Sequence, residues 1–342
     1  MTLTIYQWWR CGYHILLHLY EKKRKERDTY IFATGEWLNL TKTCKSNVCL
    51  VGKTAIVTGA NSALNLTGIG YDTAEDFAKR GARVILACRD PGRGKDAVER
   101  IIRATDNANV IYKPLDLSSF QSIKAFADDV KNSEERLDIL VNNAGVGGFV
   151  NTSTGENGLL LVMLCNYYGP FLLTNLLLPL LIKTENSRIV NVSSEVAKYG
   201  QLNLDKINIL DDQSNFKNGF KLYKNSKLCN ILFTIELASI LKPTTVTTYS
   251  LHPGVVSTNI FRNMSPVLKK LITFVLHTFC LSSFEGAQTS IYCSITKGIE
   301  WSSGEHYSNC QYVPKYKTAE DPELPKRLWK VTEKLVQLEK YK

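Results

Sequence analysis

The sequence lacks the cysteine and histidine spacings that would indicate a metal site. Its nine cysteines include no Cys-x-x-Cys pair, and none of them stands at a zinc-type spacing from the five histidines. Cys88 and Cys165 lie inside apolar runs, where a thiol is usually buried. We therefore expect no metal, no disulfide framework and a reducing compartment.

The sequence also lacks a basic surface with interleaved aromatic residues, although its formal net charge is +10. This argues against nucleic-acid binding. The densest basic run, residues 22–27, directly follows an apolar segment and favours a membrane-flanking position. Residues 1–20 carry interfacial tryptophans and tyrosines, but they are short for a span and show no small-residue cleavage site.

We expect residues 1–27 to be an uncleaved membrane anchor or an interfacial helix with its basic flank. The alternative is an amphipathic helix that packs on the protein itself. Residues 28–50 are mixed and polar, and we interpret them as a linker. The protein is then expected at a membrane.

From Lys53 onward the sequence predicts a strand, a glycine-rich loop, a helix and a second strand. Glycines let the backbone approach a pyrophosphate, and the start of a helix favours its negative charge. The pattern therefore predicts dinucleotide binding. The expected contacts in this loop are Gly59, Asn61, Ser62, Gly68, Ile69 and Gly70.

Further apolar runs predict a series of strands. Together with the first two, they span residues 53–58, 83–88, 110–115, 137–141 and 188–194. Between them, residues 158–182 form a long apolar helical stretch, which we interpret as a buried crossover helix rather than a membrane span. Pro170 inside it predicts a kink.

The residue after the second strand indicates which dinucleotide is bound. An acidic residue there would hydrogen-bond the ribose 2′-hydroxyl of NAD. This chain has Arg89, which can pair with the 2′-phosphate of NADP. The sequence thus favours NADP(H), the alternative being a solvated arginine.

Tyr223 and Lys227 stand four residues apart in a helix-compatible run, which places them on one face. A free phenol has a pKa of about 10. A fixed ammonium nearby lowers that pKa, so the tyrosine could exchange a proton with a carbonyl or an alcohol near neutral pH. Taken alone, the pair is weak evidence because this spacing is common in helices.

Together, these motifs resemble the short-chain dehydrogenase/reductase family. The glycine loop is similar to the family's TGxxxGxG, and residues 142–145 match its NNAG motif. Asn166, Ser194, Tyr223 and Lys227 occur in the order of its catalytic residues. Segments such as RIVNVSS and VTTYSLHPGVV resemble the retinol dehydrogenase 11–14 group within it.

The resemblance covers about residues 51–335 and implies one Rossmann-type α/β domain, with a doubly wound parallel sheet flanked by helices. It implies NADP(H)-dependent interconversion of a lipophilic alcohol and its carbonyl, foremost retinol and retinal. Tyr223 would transfer the proton, Lys227 would lower its pKa and hold the ribose, Ser194 would polarise the substrate oxygen, and Asn166 would support a water relay. It also implies cofactor contacts by Asp116, Asn143, Ala144, Gly145, Pro253, Gly254, Val256 and Thr258.

The resemblance implies an endoplasmic reticulum membrane with the catalytic domain in the cytosol, a mitochondrial membrane being the alternative. It also implies a homodimer in which the long apolar helix takes part, and a substrate lid over the amphipathic residues 264–284. A membrane-surface contact is the alternative for that stretch. For Asp116 the alternative is a helix N-cap.

Residues 63–67 depart from the family pattern, because they interrupt the glycine loop where its amides should hold phosphate. An insertion that bulges outward leaves the site intact, whereas one that displaces the helix start weakens cofactor binding. Two further functions therefore stay open. One is the same chemistry on a steroid or long-chain aldehyde, and the other is a membrane-bound scaffold of this fold that does not catalyse.

Overall fold

This computed structural model describes residues 42–61, 68–147, 153–209, 216–254, 256 and 281–341. Four sequence predictions fall wholly or mostly outside these residues: the anchor at 1–27, the linker at 28–50, the loop insertion at 63–67 and the lid stretch at 264–284. The fold and the site below are those of the described part of the chain.

Eight strands form one sheet in the order β3-β2-β1-β4-β5-β6-β7-β8. All neighbours are parallel except β7 and β8, which are antiparallel. The strands are β1 (Thr54–Thr58), β2 (Arg83–Cys88), β3 (Val110–Pro114), β4 (Ile139–Asn142), β5 (Arg188–Val192), β6 (Thr247–His252), β7 (His306–Ser308) and β8 (Gln311–Val313). The five predicted strands are confirmed to within two residues at each end, as β1 to β5.

Helices cover both faces of this sheet. They are α1 (Ile69–Lys79), α2 (Pro91–Thr105), α3 (Phe120–Ser133), α4 (Leu161–Lys183), α5 (Phe216–Leu241), α6 (Ser283–Ile295), α7 (Leu324–Leu335) and α8 (Leu338–Tyr341). One apolar cluster joins the sheet to α1, α2 and α6, and another joins it to α3, α4, α5 and α7. Because both faces are buried, strands such as β1 are apolar without alternation. The predicted doubly wound α/β fold is confirmed.

Helix α4 is a core helix of this domain. Among the described residues it alone is long and apolar enough to cross a membrane, but 83% of its most apolar window is buried. This confirms the prediction of a buried crossover helix. Instead of a simple kink at Pro170, the helix contains a π-helical turn, Leu164–Tyr168, just before Gly169 and Pro170. A proline has no amide hydrogen to continue the α-helical ladder, which accounts for an irregular turn here.

Helix α7 packs over α4 and α5. The indole of Trp329 lies 4.7 Å from the ring of Phe171 and stacks at 5.6 Å on Phe233. The hydroxyls of Tyr167 and Thr332 are hydrogen-bonded at 2.8 Å. The C-terminal helix therefore buries an aromatic surface of the two central helices within the same chain.

The last residues of the predicted linker also contact the domain. The amide of Cys44 donates to the Gln288 side chain at 3.0 Å, and the Arg80 guanidinium donates to the carbonyl of Ser46 at 2.6 Å. Leu50 is buried. The chain thus meets α6 and the end of α1 before it enters β1.

We expect Trp329→Ala to destabilise the protein by about 3 kcal/mol or more, because it opens a cavity between two central helices. A loss of that size lowers Tm by at least about 5 °C in a domain this large. Trp301→Ala is the matched control, since Trp301 is 79% exposed and Trp329 only 8%. Thermal unfolding measures both variants, and equal Tm values would contradict the packing role of Trp329.

Candidate active site

The described residues predicted for the site gather at one edge of the sheet. They follow the carboxyl ends of β1 to β6 or lie on α1, α4 and α5. The strand order reverses between β1 and β4, which are neighbours in the sheet. In open α/β sheets such a reversal opens a crevice that binds ligands. Ser62 and Thr258 lie outside the described residues.

Two glycines of the loop after β1 sit where no side chain fits. Gly59 has φ +66°, and a Cβ there would lie 2.9 Å from the Cα of Ala144. A Cβ on Gly70 would overlap the side chain of Asn143. Gly68 is the N-cap of α1 and has no side chain of its own to cap that helix. Its first amides are thus left to an anionic ligand.

Thr58 ties this loop to the NNAG segment. Its hydroxyl accepts hydrogen bonds from the amides of Asn143 and Ala144, each at 3.0 Å. The Asn143 side chain donates to the Thr58 carbonyl at 2.8 Å. The two walls of the crevice are therefore fixed relative to one another. Thr58 was not among the predicted site residues. A hydroxyl residue at the last position of the first strand was the one feature of the sequence that could have indicated it.

Asn166 lies in the π-helical turn of α4 and is 1% exposed. Its side chain accepts from the amide of Val146 at 2.7 Å and donates to the Val146 carbonyl and the Ser226 hydroxyl, both at 3.0 Å. Its main-chain carbonyl has no α-helical donor, because the residue four positions on is Pro170. A water relay at Asn166 would therefore use this carbonyl rather than the amide side chain.

Ser194, Tyr223 and Lys227 come together beside Gly145. The Ser194 hydroxyl lies near enough to the Tyr223 phenol to act on the phenol pKa. Lys227 Nζ donates to the Val192 carbonyl at 3.0 Å and lies 5.8 Å from the centre of the Tyr223 ring. A Cβ on Gly145 would be 3.4 Å from that Nζ. The structure thus brings the predicted catalytic groups into one pocket.

The neighbouring Ser193 has a different role. It is buried, and its hydroxyl donates to the Lys227 carbonyl at 2.6 Å, which ties β5 to α5. The Ser194 hydroxyl instead accepts from the amide of Val196 at 3.5 Å and acts on the phenol of Tyr223. This geometry supports Ser194 over Ser193 as the group that faces a substrate.

The pKa of the phenol differs from the sequence expectation. Burial raises the pKa of Tyr223 to about 12, although the hydrogen bond from Ser194 acts to lower it. Burial also lowers the pKa of Lys227 to about 8. The expected lowering of the phenol pKa by Lys227 is not seen in this structure, where loss of water raises the pKa of Tyr223 and lowers that of Lys227.

Arg89 and Asp116 lie at the far end of the crevice. Arg89 is exposed directly after β2, and both charges act on the Cys165 thiol, Asp116 raising its pKa and Arg89 lowering it. One oxygen of Asp116 accepts from the Ser118 amide at 2.9 Å. The helix N-cap of α3 is Ser119, so the N-cap alternative for Asp116 is wrong.

The segment after β6 turns sharply toward α1. Gly254 has φ +87°, and a Cβ there would overlap Leu281. Val256 forms a parallel bridge with Leu281. The side chains of Val256 and Ile69 both press on Gly286 of α6. Pro253, Gly254 and Val256 therefore lie beside the start of α1, as cofactor contacts there require.

Comparison with known proteins gives consistent matches. A family model described as "short chain dehydrogenase" matches residues 53–205. Mouse (Mus musculus) retinol dehydrogenase 11 is 43% identical over 289 residues, which cover 84% of this chain and 88% of the relative. Bovine (Bos taurus) dehydrogenase/reductase SDR family member 13 is 40% identical over 309 residues, which cover 88% and 78%. A crystal structure from Mycobacterium paratuberculosis aligns with a TM-score of 0.68 at 28% identity and covers 87% of this chain and 98% of its own.

We expect Lys227→Met to stabilise the protein at pH 7 while it abolishes turnover. The folded pKa of Lys227 is about 8, below its ordinary value of 10.5, so the folded state carries the full cost of the buried charge below pH 8. Removing it should raise the free energy of unfolding by about 1–3 kcal/mol, after allowance for the lost hydrogen bond. The gain should vanish as pH rises from 8 to 10.5, because both states then lose the proton.

Thermal unfolding at pH 7 and pH 10 measures this difference. Lys221→Met is the matched control, since Lys221 is exposed on the same helix and its replacement should change Tm little. A lower Tm for Lys227→Met than for wild type at pH 7 would contradict the cost assigned to the buried ammonium.

Proposed function

This chain belongs to the short-chain dehydrogenase family, and from that premise we propose an NADP(H)-dependent oxidoreductase that interconverts a lipophilic alcohol and its aldehyde or ketone. Retinol and retinal are the preferred pair, because retinol dehydrogenases are among its similar relatives. The observation that carries the proposal is the grouping of Ser194 and Tyr223 with the buried Lys227 beside Gly145.

The residues at the crevice fit a dinucleotide. Gly59 and Gly70 let the loop pack closely against Ala144 and Asn143, and the start of α1 at Gly68 suits a pyrophosphate. Arg89 suits a 2′-phosphate, while Pro253 and Gly254 would flank the nicotinamide end. When bound, NADP(H) supplies or accepts the hydride at the substrate carbon. We propose the remaining predicted contacts, including Asn61, Ser62 and Thr258, on the family resemblance alone.

The chain's own groups handle the substrate oxygen and its proton. The neutral Tyr223 phenol donates its proton to a carbonyl oxygen on reduction and takes one back on oxidation. The Ser194 hydroxyl holds that oxygen by a hydrogen bond. Lys227 and Asn166 lie beside Gly145, where they would support the relay that carries protons to and from the site.

We further propose the domain plan of the whole chain. Residues 1–27 form the membrane anchor, the linker ends near Cys44, and the catalytic domain runs from there to about residue 335. The contacts of Cys44 with Gln288 support this start of the domain. An endoplasmic reticulum membrane with the domain in the cytosol suits an apolar substrate. A homodimer would need a surface other than the aromatic face of α4 and α5 that α7 covers.

A titration tests the cofactor first. NADPH and NADH are added to the purified full chain while nicotinamide fluorescence is followed, and the reduction of retinal, a steroid ketone and a long-chain aldehyde is then compared. Tight NADPH binding with retinal turnover supports the proposal. Binding without turnover on any of the three would favour the non-catalytic scaffold.

We expect Tyr223→Phe to lower kcat by about 10²-fold to 10⁴-fold or more, because it removes the proton donor and keeps the ring. The NADPH Kd should change little. Tyr312→Phe is the matched control, since Tyr312 is about half exposed on β8 and far from the crevice in the sheet order. Steady-state turnover and cofactor fluorescence measure both variants. Full turnover without the Tyr223 hydroxyl would assign the proton to another group.

We expect Arg89→Ala to weaken NADPH binding by about 10-fold to 100-fold and to leave NADH binding nearly unchanged, because only the 2′-phosphate needs the guanidinium. Arg103→Ala, exposed in the last turn of α2, serves as the control for lost positive charge. Fluorescence titrations with both nucleotides give the ratio of Kd values. An unchanged ratio would identify Arg89 as a solvated residue.

A further inference from the structure

We propose that His252 is a positioning residue for Ser194, in which imidazole Nδ1 replaces a backbone carbonyl and fixes the peptide group that follows the serine. The inference rests on the proposed function, since it assigns His252 to the reaction of that same site. It stands on a hydrogen bond of 3.1 Å from the amide of Glu195 to Nδ1 of His252.

The parallel ladder between β5 and β6 explains why a side chain is needed there. The amide of Ser193 donates to the Leu251 carbonyl at 2.7 Å, as a ladder requires. In a parallel ladder the next donor, two residues on, is the amide of Glu195, and its partner would be the carbonyl of residue 253. The chain leaves the sheet at Pro253 and Gly254, where φ is +87°. The imidazole of His252 supplies the acceptor that the departing backbone takes away.

Ser194 is therefore held from both sides. The amide of the residue before it, Ser193, is in the ladder, and the amide of the residue after it, Glu195, is on His252. The Ser194 carbonyl accepts from the amide of Ala197 at 3.0 Å, which starts a short 3₁₀ turn. With the residue before it and the peptide group after it fixed, Ser194 is kept beside the Tyr223 phenol.

The surroundings of the imidazole favour the tautomer that this role requires. An acceptor at Nδ1 must be unprotonated, so the neutral ring carries its hydrogen on Nε2. That nitrogen lies 3.7 Å from a carboxylate oxygen of Glu195. The carboxylate itself is held by the Lys198 ammonium at 2.6 Å and by the Tyr316 hydroxyl at 3.2 Å. The side chain of Glu195 thus helps to orient the ring that binds its own amide.

Three replacements of His252 separate this role from simple packing. In His252→Asn the amide oxygen stands close to where Nδ1 was and can accept the same hydrogen bond. In His252→Gln the polar atoms reach instead toward the place of Nε2, and His252→Leu offers no acceptor. We expect the Asn variant to keep kcat within about threefold of wild type. We expect the Gln and Leu variants to lose about 10-fold to 100-fold in kcat, because a displaced catalytic hydroxyl costs that much.

A double-mutant cycle shows whether the effect passes through Ser194. In a Ser194→Ala background, adding His252→Leu should lower kcat by less than about twofold further, because there is no hydroxyl left to position. His306→Leu is the matched control, since it removes a buried imidazole whose Nδ1 pairs with Ser250 at 2.9 Å instead of with Glu195. It should lower Tm without this coupling. Equal losses in the two backgrounds, or an Asn variant as slow as the Leu variant, would overturn the proposal.

Amide hydrogen exchange measures the hydrogen bond between the Glu195 amide and His252 independently of turnover. The Glu195 amide should exchange slowly in wild type and His252→Asn and at least about 10-fold faster in His252→Leu. A wild-type protein that protects this amide but reduces none of the carbonyl substrates would overturn the proposed function and, with it, the catalytic purpose of His252. A wild-type protein that turns over with an unprotected Glu195 amide would overturn the positioning role alone.

Discussion

The candidate site depends on a buried ammonium that has no carboxylate at hydrogen-bonding distance among the described residues. Lys227 is 5% exposed, and its ammonium donates to the carbonyl of Val192 at 3.0 Å. A charge in this position destabilises the folded state. The surrounding structure keeps it in place through Ser193, whose hydroxyl ties the Lys227 backbone to β5, and through Gly145, whose missing side chain leaves room for Nζ. The buried ammonium therefore lowers the free energy of unfolding, and the site rather than the packing of the fold accounts for its presence.

The same loss of water decides the state of the tyrosine. An ammonium beside a phenol on one helical face would be expected to lower the pKa of the phenol. Burial instead raises the pKa of Tyr223 and lowers that of Lys227. Spacing along a sequence gives the direction of two side chains but not the amount of water around them. For this reason the spacing predicted that both residues lie at the site but could not predict how burial shifts the pKa of the phenol.

Much of the fold could be predicted because local and overall preferences agree. Parallel strands buried on both faces are continuous apolar runs, so β1 to β5 could be recognised. The short antiparallel pair β7 and β8, three residues each, carries too little pattern for recognition. Pro170 predicted that the helix is irregular at this point, but not that the irregularity is a π-helical turn before Gly169.

The candidate site divides in the same way. Gly59, Ser194 and Tyr223 could be predicted, because each belongs to a short motif and the motifs occur in a recognisable order along the chain. Thr58 and His252 act across strands, on Asn143 and Glu195 respectively, so their partners are visible only once β1 lies beside β4 and β5 beside β6. Long-range contacts of this kind leave no periodic signal.

The end of β6 illustrates a general tension in open α/β sheets. The sheet is most regular where every amide has a carbonyl opposite it, but a ligand in the crevice needs the strands to separate there. At Pro253 the chain gives up its ladder position and turns by way of Gly254 toward the start of α1. The amide of Glu195 would then lose its partner directly beside Ser194. A histidine at the last strand position satisfies that amide, so the departure that opens the cofactor crevice leaves the geometry of the serine intact.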